Sequence, residues 1–333
     1  MEGAEVLERC RLRWVVDMEE EMARGRFRDL LPLLPEPDQK TVLTFLQPAD
    51  QHRALLSRLL QRCAVATALG ADWASIAIAT TRGRKPFTTN TKPPEAPCWN
   101  YNGRFVILAA DPLRLVGADV AAPRSSRPGG AGRPLAQHLA AFRGQMAESE
   151  WALLHGPLAG DEGAQEAGFQ RLWSLKESFI KARGDGLGFQ PLSRAAFSFP
   201  AADPWARTAL LRLDGSPHPG WSFELHALPS SHCAAVALGP PAEAVDAWGL
   251  FRASLGLGVG LDGPDGGVNG SSTPNGLHAQ PEHCTHDWRN GCGSQDSGHG
   301  RVPPFEEVAP LVEVTPFEEV EVGDLLRRAR AHR

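Results

Sequence analysis

The chain has no apolar run long enough to cross a bilayer. Its most apolar stretch, residues 64–79, is alanine-rich and interrupted by Asp72, short of the ~20 apolar residues that a membrane-spanning helix needs. The opening segment carries Glu2, Glu5, Glu8 and several arginines where an export signal would have an apolar centre. A soluble, cytosolic protein with no membrane partner is expected. A strong excess of one charge sign is also lacking, and a net charge of -5 gives no general attraction to nucleic acid. The 6 cysteines, Cys10, Cys63, Cys98, Cys233, Cys284 and Cys292, are too thinly spread for a disulfide scaffold, so a reducing setting fits best. What remains is ordinary globular composition, 42% apolar and 22% charged over 333 residues, enough for two modest domains.

Apolar periodicity places a first helix after Asp50, read as its N-cap, with Leu55, Leu56, Leu59, Leu60 and Cys63 on one face and Gly70 near its end. Residues 74–79 and 105–110 read as short strands. Residues 105–120 read as a hairpin turning at Asp111-Pro112. Residues 122–134, rich in Pro, Gly, Ser and Arg, read as a surface loop. A helix with Ala140, Phe142 and Met146 comes next and leads to Trp151. A second long helix spans 165–183, stopped by Gly184. Strands are expected at 195–199, 209–213, 222–228 and 233–238.

The resulting plan is α+β, with two halves of similar content, each holding a few strands and one principal helix. The boundaries are 1–110, 111–240 and a tail, 241–333. Residues 256–300 are low in large apolar side chains and are expected to be disordered. Beyond them the pentapeptide Pro-Phe-Glu-Glu-Val occurs twice, at 304–308 and 316–320. This is too few copies for a solenoid, so the stretch reads as a loosely attached tail, with docking back onto the body as the alternative.

Two segments carry chemistry. In the second long helix, Trp173, Lys176, Glu177 and Lys181 are spaced so that Glu177 and Lys181 lie one turn apart on one face. By itself such a pair is usually a solvated salt bridge. Asp119 ends an apolar strand, Leu115-Val116-Gly117-Ala118-Asp119, in which Gly117 allows a second backbone to come close. By itself it is usually a turn-capping carboxylate.

Together these segments resemble the signature of the 4'-phosphopantetheinyl transferase superfamily, Gly-x-Asp on a strand and Trp-x-x-Lys-Glu-x-x-x-Lys on a helix. The similarity runs from about Arg13-Trp14 to Leu238 and includes Arg58, Lys85-Pro86 and residues 148–151. The resemblance implies pseudo-two-fold-related halves, each a small antiparallel sheet with a principal helix. It also implies a reaction in which a serine of an acyl carrier protein domain attacks the phosphorus of coenzyme A bearing the pantetheine arm. Asp119 and Glu177 would hold one Mg2+, Glu177 would act as base, and Lys181 would face the phosphates. Thr81, Arg82, Arg84, Lys85, Asn102 and Gly103 occupy the family's coenzyme A-contacting segments. A monomer is expected.

The match is incomplete at three places. Ala121 replaces a second acid found in some bacterial members, Thr80 stands where a leading Arg is expected, and residues 100–105 lack four residues that include a Ser-His pair. These gaps leave an alternative function, a homologue that binds carrier protein or coenzyme A without efficient transfer. A further alternative assigns zinc to His283, Cys284, His286, Cys292 and His299 of the tail, although their spacing fits no closed structural site.

Overall fold

A computed structural model describes residues 2–104, 107–126, 132–257 and 314–331. The first half runs α1 (Glu2–Arg9), β1 (Leu12–Val15), α2 (Met18–Ala23), α3 (Phe27–Leu30), α4 (Glu36–Leu43), α5 (Pro48–Leu69), β2 (Ile78–Thr80), β3 (Pro86–Thr88), β4 (Asn100–Arg104) and β5 (Ile107–Asp111). The second runs β6 (Leu115–Ala121), α6 (Leu135–Ala140), α7 (Glu148–His155), α8 (Glu162–Arg183), β7 (Ala195–Ser198), β8 (Thr208–Leu213), β9 (Ser216–Pro217), β10 (Ser222–Leu228) and β11 (His232–Gly239). A short α9 (Leu250–Ser254) comes after it, and the chain end adds β12 (Glu318–Glu319) and α10 (Val322–Ala331).

The halves share one plan, α+β as expected. Each has a sheet covered by a helix of 22 residues, α5 in one half and α8 in the other. Both helices stop on a left-handed glycine, Gly70 at φ 64° and Gly184 at φ 94°, a conformation that costs other residues a steric clash. The first sheet has the order β12-β1-β5-β4. The second has the order β6-β11-β10-β8-β7, with β9 on β8. Strand alternation sets what lies between them: Ile107 and Ala109 of β5, Val116 and Ala118 of β6, and Ala234, Val236 and Leu238 of β11 form one buried cluster. Two polar links cross the same boundary. Arg13 of β1 donates from Nε and Nη2 to the carboxylate of Glu224 on β10, both at 3.2 Å, and Asn100 Oδ1 of β4 accepts from the Val116 amide of β6 at 3.0 Å.

Several sequence expectations need correction. Asp50 lies inside the first turn of α5, and Gln47 is the cap because Pro48, with its fixed φ and missing N–H, suits the first helical position. The predicted hairpin over 105–120 does not form. Both edges of β5 are taken, by β1 and β4, while β6 pairs with β11. The carboxylate of Asp111 accepts from the amides of Leu113 and Arg114 at 3.0 and 2.8 Å and carries the chain from one sheet to the other. Residues 73–75 form a 3-10 turn, with β2 starting only at Ile78. Helix α6 ends at Ala140, and Phe142 turns its ring edge onto Trp173 at 4.7 Å from the next turn. Part of the loop at 122–134 and all of 258–313, including the zinc candidates and the first pentapeptide, lie outside the described residues.

Residues 314–331 are no loose tail. β12 lies parallel to β1, pairing Glu318 with Trp14 and Glu319 with Val15. α10 then packs on α5, burying Val322, Leu325 and Leu326 in the first half's core. Each such side chain contributes about 1.5–3 kcal/mol of apolar burial, enough to hold a short helix.

Candidate active site

Helix α8 begins with the carboxylate of Asp161 accepting from the Ala164 amide at 3.0 Å, and it buries Phe169, Leu172, Leu175 and Phe179 against the second sheet. Its approach to β6 is set by Gly117. A Cβ at that position would lie 2.0 Å from Ser178 O and 2.4 Å from Ala182 N, so strand and helix backbones touch. Gly117→Ala is therefore expected to force them apart, lowering stability by about 3 kcal/mol and reducing activity. An unchanged urea midpoint would contradict the packing.

Alternation along β6 sends Val116 and Ala118 into the boundary between the sheets and turns Gly117 and Asp119 toward α8. Ser174 Oγ donates to Cys233 O, which pairs in register with Ala121. With Gly117 against Ser178 and Ala182, the helix runs opposite to the strand, and Asp119 lies level with the turn that carries Glu177 and Lys181. Lys181 Nζ donates to Asp119 Oδ1. Asp119, Glu177 and Lys181 are all half-buried. Of the three predicted catalytic residues, Asp119 and Lys181 are thus in direct contact, and Glu177 lies one turn before Lys181 on the same helix. Asp119 and Glu177 offer two carboxylates from separate elements, the donor type that a hard cation takes alongside substrate phosphate and water. Among the described residues no group of three or more His, Cys, Asp or Glu is placed to hold a metal alone.

The basic turn 81–85 sits between β2 and β3. Thr81 is buried, its Oγ1 accepting from the Lys85 amide at 3.0 Å, and Arg84 adopts φ 67°. Gly83 lies directly against the end of α8: a Cβ there would be 2.0 Å from Gly184 O. Arg82 and Arg84 are exposed on this turn, on either side of the Gly83 contact with the end of α8. Lys85 is not at the surface. Its ammonium is fully buried, donates to Val116 O at 2.6 Å and lies 5.4 Å from the centre of the Phe251 ring. It ties the turn to the strand that carries Asp119.

Burial pushes Lys85 down to about 7 from 10.5. Between those values the unfolded chain holds a proton that the folded chain has released, so stability rises with pH from about 7 toward 10.5, by up to about 1.4 kcal/mol per pH unit. Lys85→Met is expected to remove this rise. Equal pH profiles for the two proteins, measured by chemical denaturation, would contradict it.

Asn102 and Gly103 pair with Ala109 and Leu108 in the β4–β5 hairpin, and Arg104 pairs with Ile107. One motif residue has a role that its spacing does not reveal. Lys176 is wholly buried, 2.8 Å from the Glu150 carboxylate, and also donates to Leu192 O and Ala195 O. Glu150 in turn accepts from the Ala147 and Phe197 amides. Lys176 therefore anchors α8 to α7 and β7 and does not face the catalytic junction.

Residues 21–113 match the family model described as 4'-phosphopantetheinyl transferase, N-terminal, and residues 115–237 match that of the 4'-phosphopantetheinyl transferase superfamily. The division between them falls where the chain passes from β5 to β6. The chain belongs to the 4'-phosphopantetheinyl transferase superfamily. It is 33% identical over 211 residues to a phosphopantetheinyl transferase of Thraustochytrium sp., covering 62% of this chain and 70% of the relative. It is also 33% identical over 214 residues to the L-aminoadipate-semialdehyde dehydrogenase-phosphopantetheinyl transferase of Xenopus laevis, covering 61% and 68%. The 4'-phosphopantetheinyl transferase Sfp of Bacillus subtilis is 31% identical over 147 residues, covering 43% and 57%. The chain is a transferase that moves 4'-phosphopantetheine from coenzyme A to the serine of carrier protein domains.

Proposed function

We propose that transfer takes place at the junction of β6 and α8, with Mg2+ held by Asp119 and Glu177. The observation that supports this is the placing of Asp119, Glu177 and Lys181 on facing elements, beside a turn that exposes two arginines. When bound, the ion would neutralise charge on the coenzyme A pyrophosphate. Glu177 takes the proton from the carrier serine, directly or through one water, since a neutral hydroxyl is a weak nucleophile. Lys181 and the exposed Arg82 and Arg84 stabilise the charge that grows on the departing adenosine 3',5'-bisphosphate. Lys85 and Thr81 shape the turn, and the segment holding Asn102 and Gly103 is the second stretch proposed to contact coenzyme A.

Carrier domains of the fatty acid synthase type are the proposed acceptors. The aminoadipate-semialdehyde dehydrogenase in the Xenopus relative's name adds lysine metabolism as a second setting. The protein acts as a cytosolic monomer in this reading. The test is product stoichiometry: one adenosine 3',5'-bisphosphate released per carrier modified, by chromatography, with release stopped by EDTA. Release without carrier modification would point to simple hydrolysis and overturn the assignment.

A further inference from the structure

The returning chain end adds a strand to a sheet edge, and the sequence holds a second copy of what it adds. Strand β12 and its flanks are the pentapeptide at 316–320, and its footprint on the body is specific. The Phe317 ring stands edge-on to the ring of His226 at 4.8 Å and 82°, against an apolar cluster edged by Val15, Val120 and Leu228. Glu318 and Glu319 pair with the β1 edge, the Val320 amide donates to Val15 O at 2.9 Å, and the Val320 side chain is buried. Both glutamates stay exposed. The slot thus reads main chain plus an aromatic and a valine three residues apart, the usual logic of strand addition.

Residues 304–308 repeat every element of that footprint, with Phe305 and Val308 in the places of Phe317 and Val320. The match extends upstream, since Val302 stands where Val314 stands in the docked copy. We infer that the β1 edge is a recognition slot for Pro-Phe-Glu-Glu-Val and that residues 304–308 of the same chain are its alternative occupant. Reach does not oppose the exchange. Residues 258–303 and 258–315 join the two copies to Leu257, and the cost of loop closure changes only with the logarithm of chain length. The copies differ in their C-terminal neighbours. The docked copy leads into α10, with buried Val322, Leu325 and Leu326, whereas the first copy is followed by Pro310, Glu313 and Val314 at the corresponding positions, so the apolar face that anchors α10 is not repeated. The second copy therefore holds the slot, and the first takes it when the second is lost, covering an edge that would otherwise be open to other chains.

A double-mutant cycle on the full-length chain tests this. Phe305→Ala alone should leave the unfolding midpoint unchanged, because the slot is filled by the other copy. Phe317→Ala should lower it by about 2–4 °C, and adding Phe305→Ala should lower it by at least about 2 °C more, a coupling absent from independent sites. The milder Phe317→Leu, taken through the same cycle, keeps the test valid should Phe317→Ala fail to fold. Phe305→Ala being equally silent in both backgrounds overturns the inference. Coupling that fades on dilution overturns its within-chain form, because the occupant would then be a second copy of the chain.

Discussion

Glu177→Gln is expected to lower the turnover number for carrier loading by about a thousandfold or more, because the change removes both the proposed base and one of two metal-binding carboxylates. Asp119→Asn should have an effect of the same order. The residues are half-buried, and their substitutes have the same shape, so the fold should survive. Single-turnover loading with saturating coenzyme A and Mg2+ measures the loss, and thermal melting checks the fold. Asp119 adds a diagnostic, since its loss releases Lys181 from its ion pair. A large fall in turnover with an unchanged melting point locates the effect in the chemistry, while near-normal turnover in either variant would remove that residue from the site.

Lys176→Met should cost about 3–5 kcal/mol of stability. Burial works against the charge on both members of the Glu150–Lys176 pair, raising the carboxyl and lowering the ammonium, and each partner opposes that shift in the other. Removing the lysine leaves a carboxylate with no exposed atom and no counter-charge. Replacing both, as Glu150→Gln with Lys176→Met, should recover part of the loss. Denaturant unfolding of the two single variants and the double variant gives the coupling. A single-variant loss below about 1 kcal/mol would make the pair no stronger than a surface salt bridge and contradict its anchoring role.

The second half of the molecule is largely legible in the sequence. Its strands read as apolar segments, alternating in β7 and β8 and nearly continuous in β11, and α8 carries a strong stop in Gly184 and its apolar stripe in Phe169, Leu172, Leu175 and Phe179. Gly117, set in an apolar strand, marks the point of close backbone approach that the structure shows. Lys176 lies on that same buried stripe, between Leu175 and Phe179. This is the signal that it is a strut and not a surface charge, hidden by its place in a motif of catalytic residues.

Long-range pairing is what periodicity leaves open. Two apolar runs around Asp111-Pro112 look like a hairpin locally, and only the occupation of both β5 edges by β1 and β4 shows otherwise. β1 has four residues, too few for alternation to register. The chain end is obscured by composition. Paired glutamates and terminal arginines suggest a solvated tail, yet Val322, Leu325 and Leu326 recur at helical spacing, the one local sign of the face that docks on α5. The depth of Lys85 is equally hidden, since Phe251, which covers it, lies beyond the matched family segments.

Intact-mass spectrometry of an apo acyl carrier protein incubated with this chain, coenzyme A and Mg2+ tests the central claim most directly. The expected result is a gain of one phosphopantetheine mass on the carrier serine, lost on adding EDTA and lost in Glu177→Gln. A carrier left unmodified by a folded chain that still binds coenzyme A, or modification that persists in EDTA, would contradict the account.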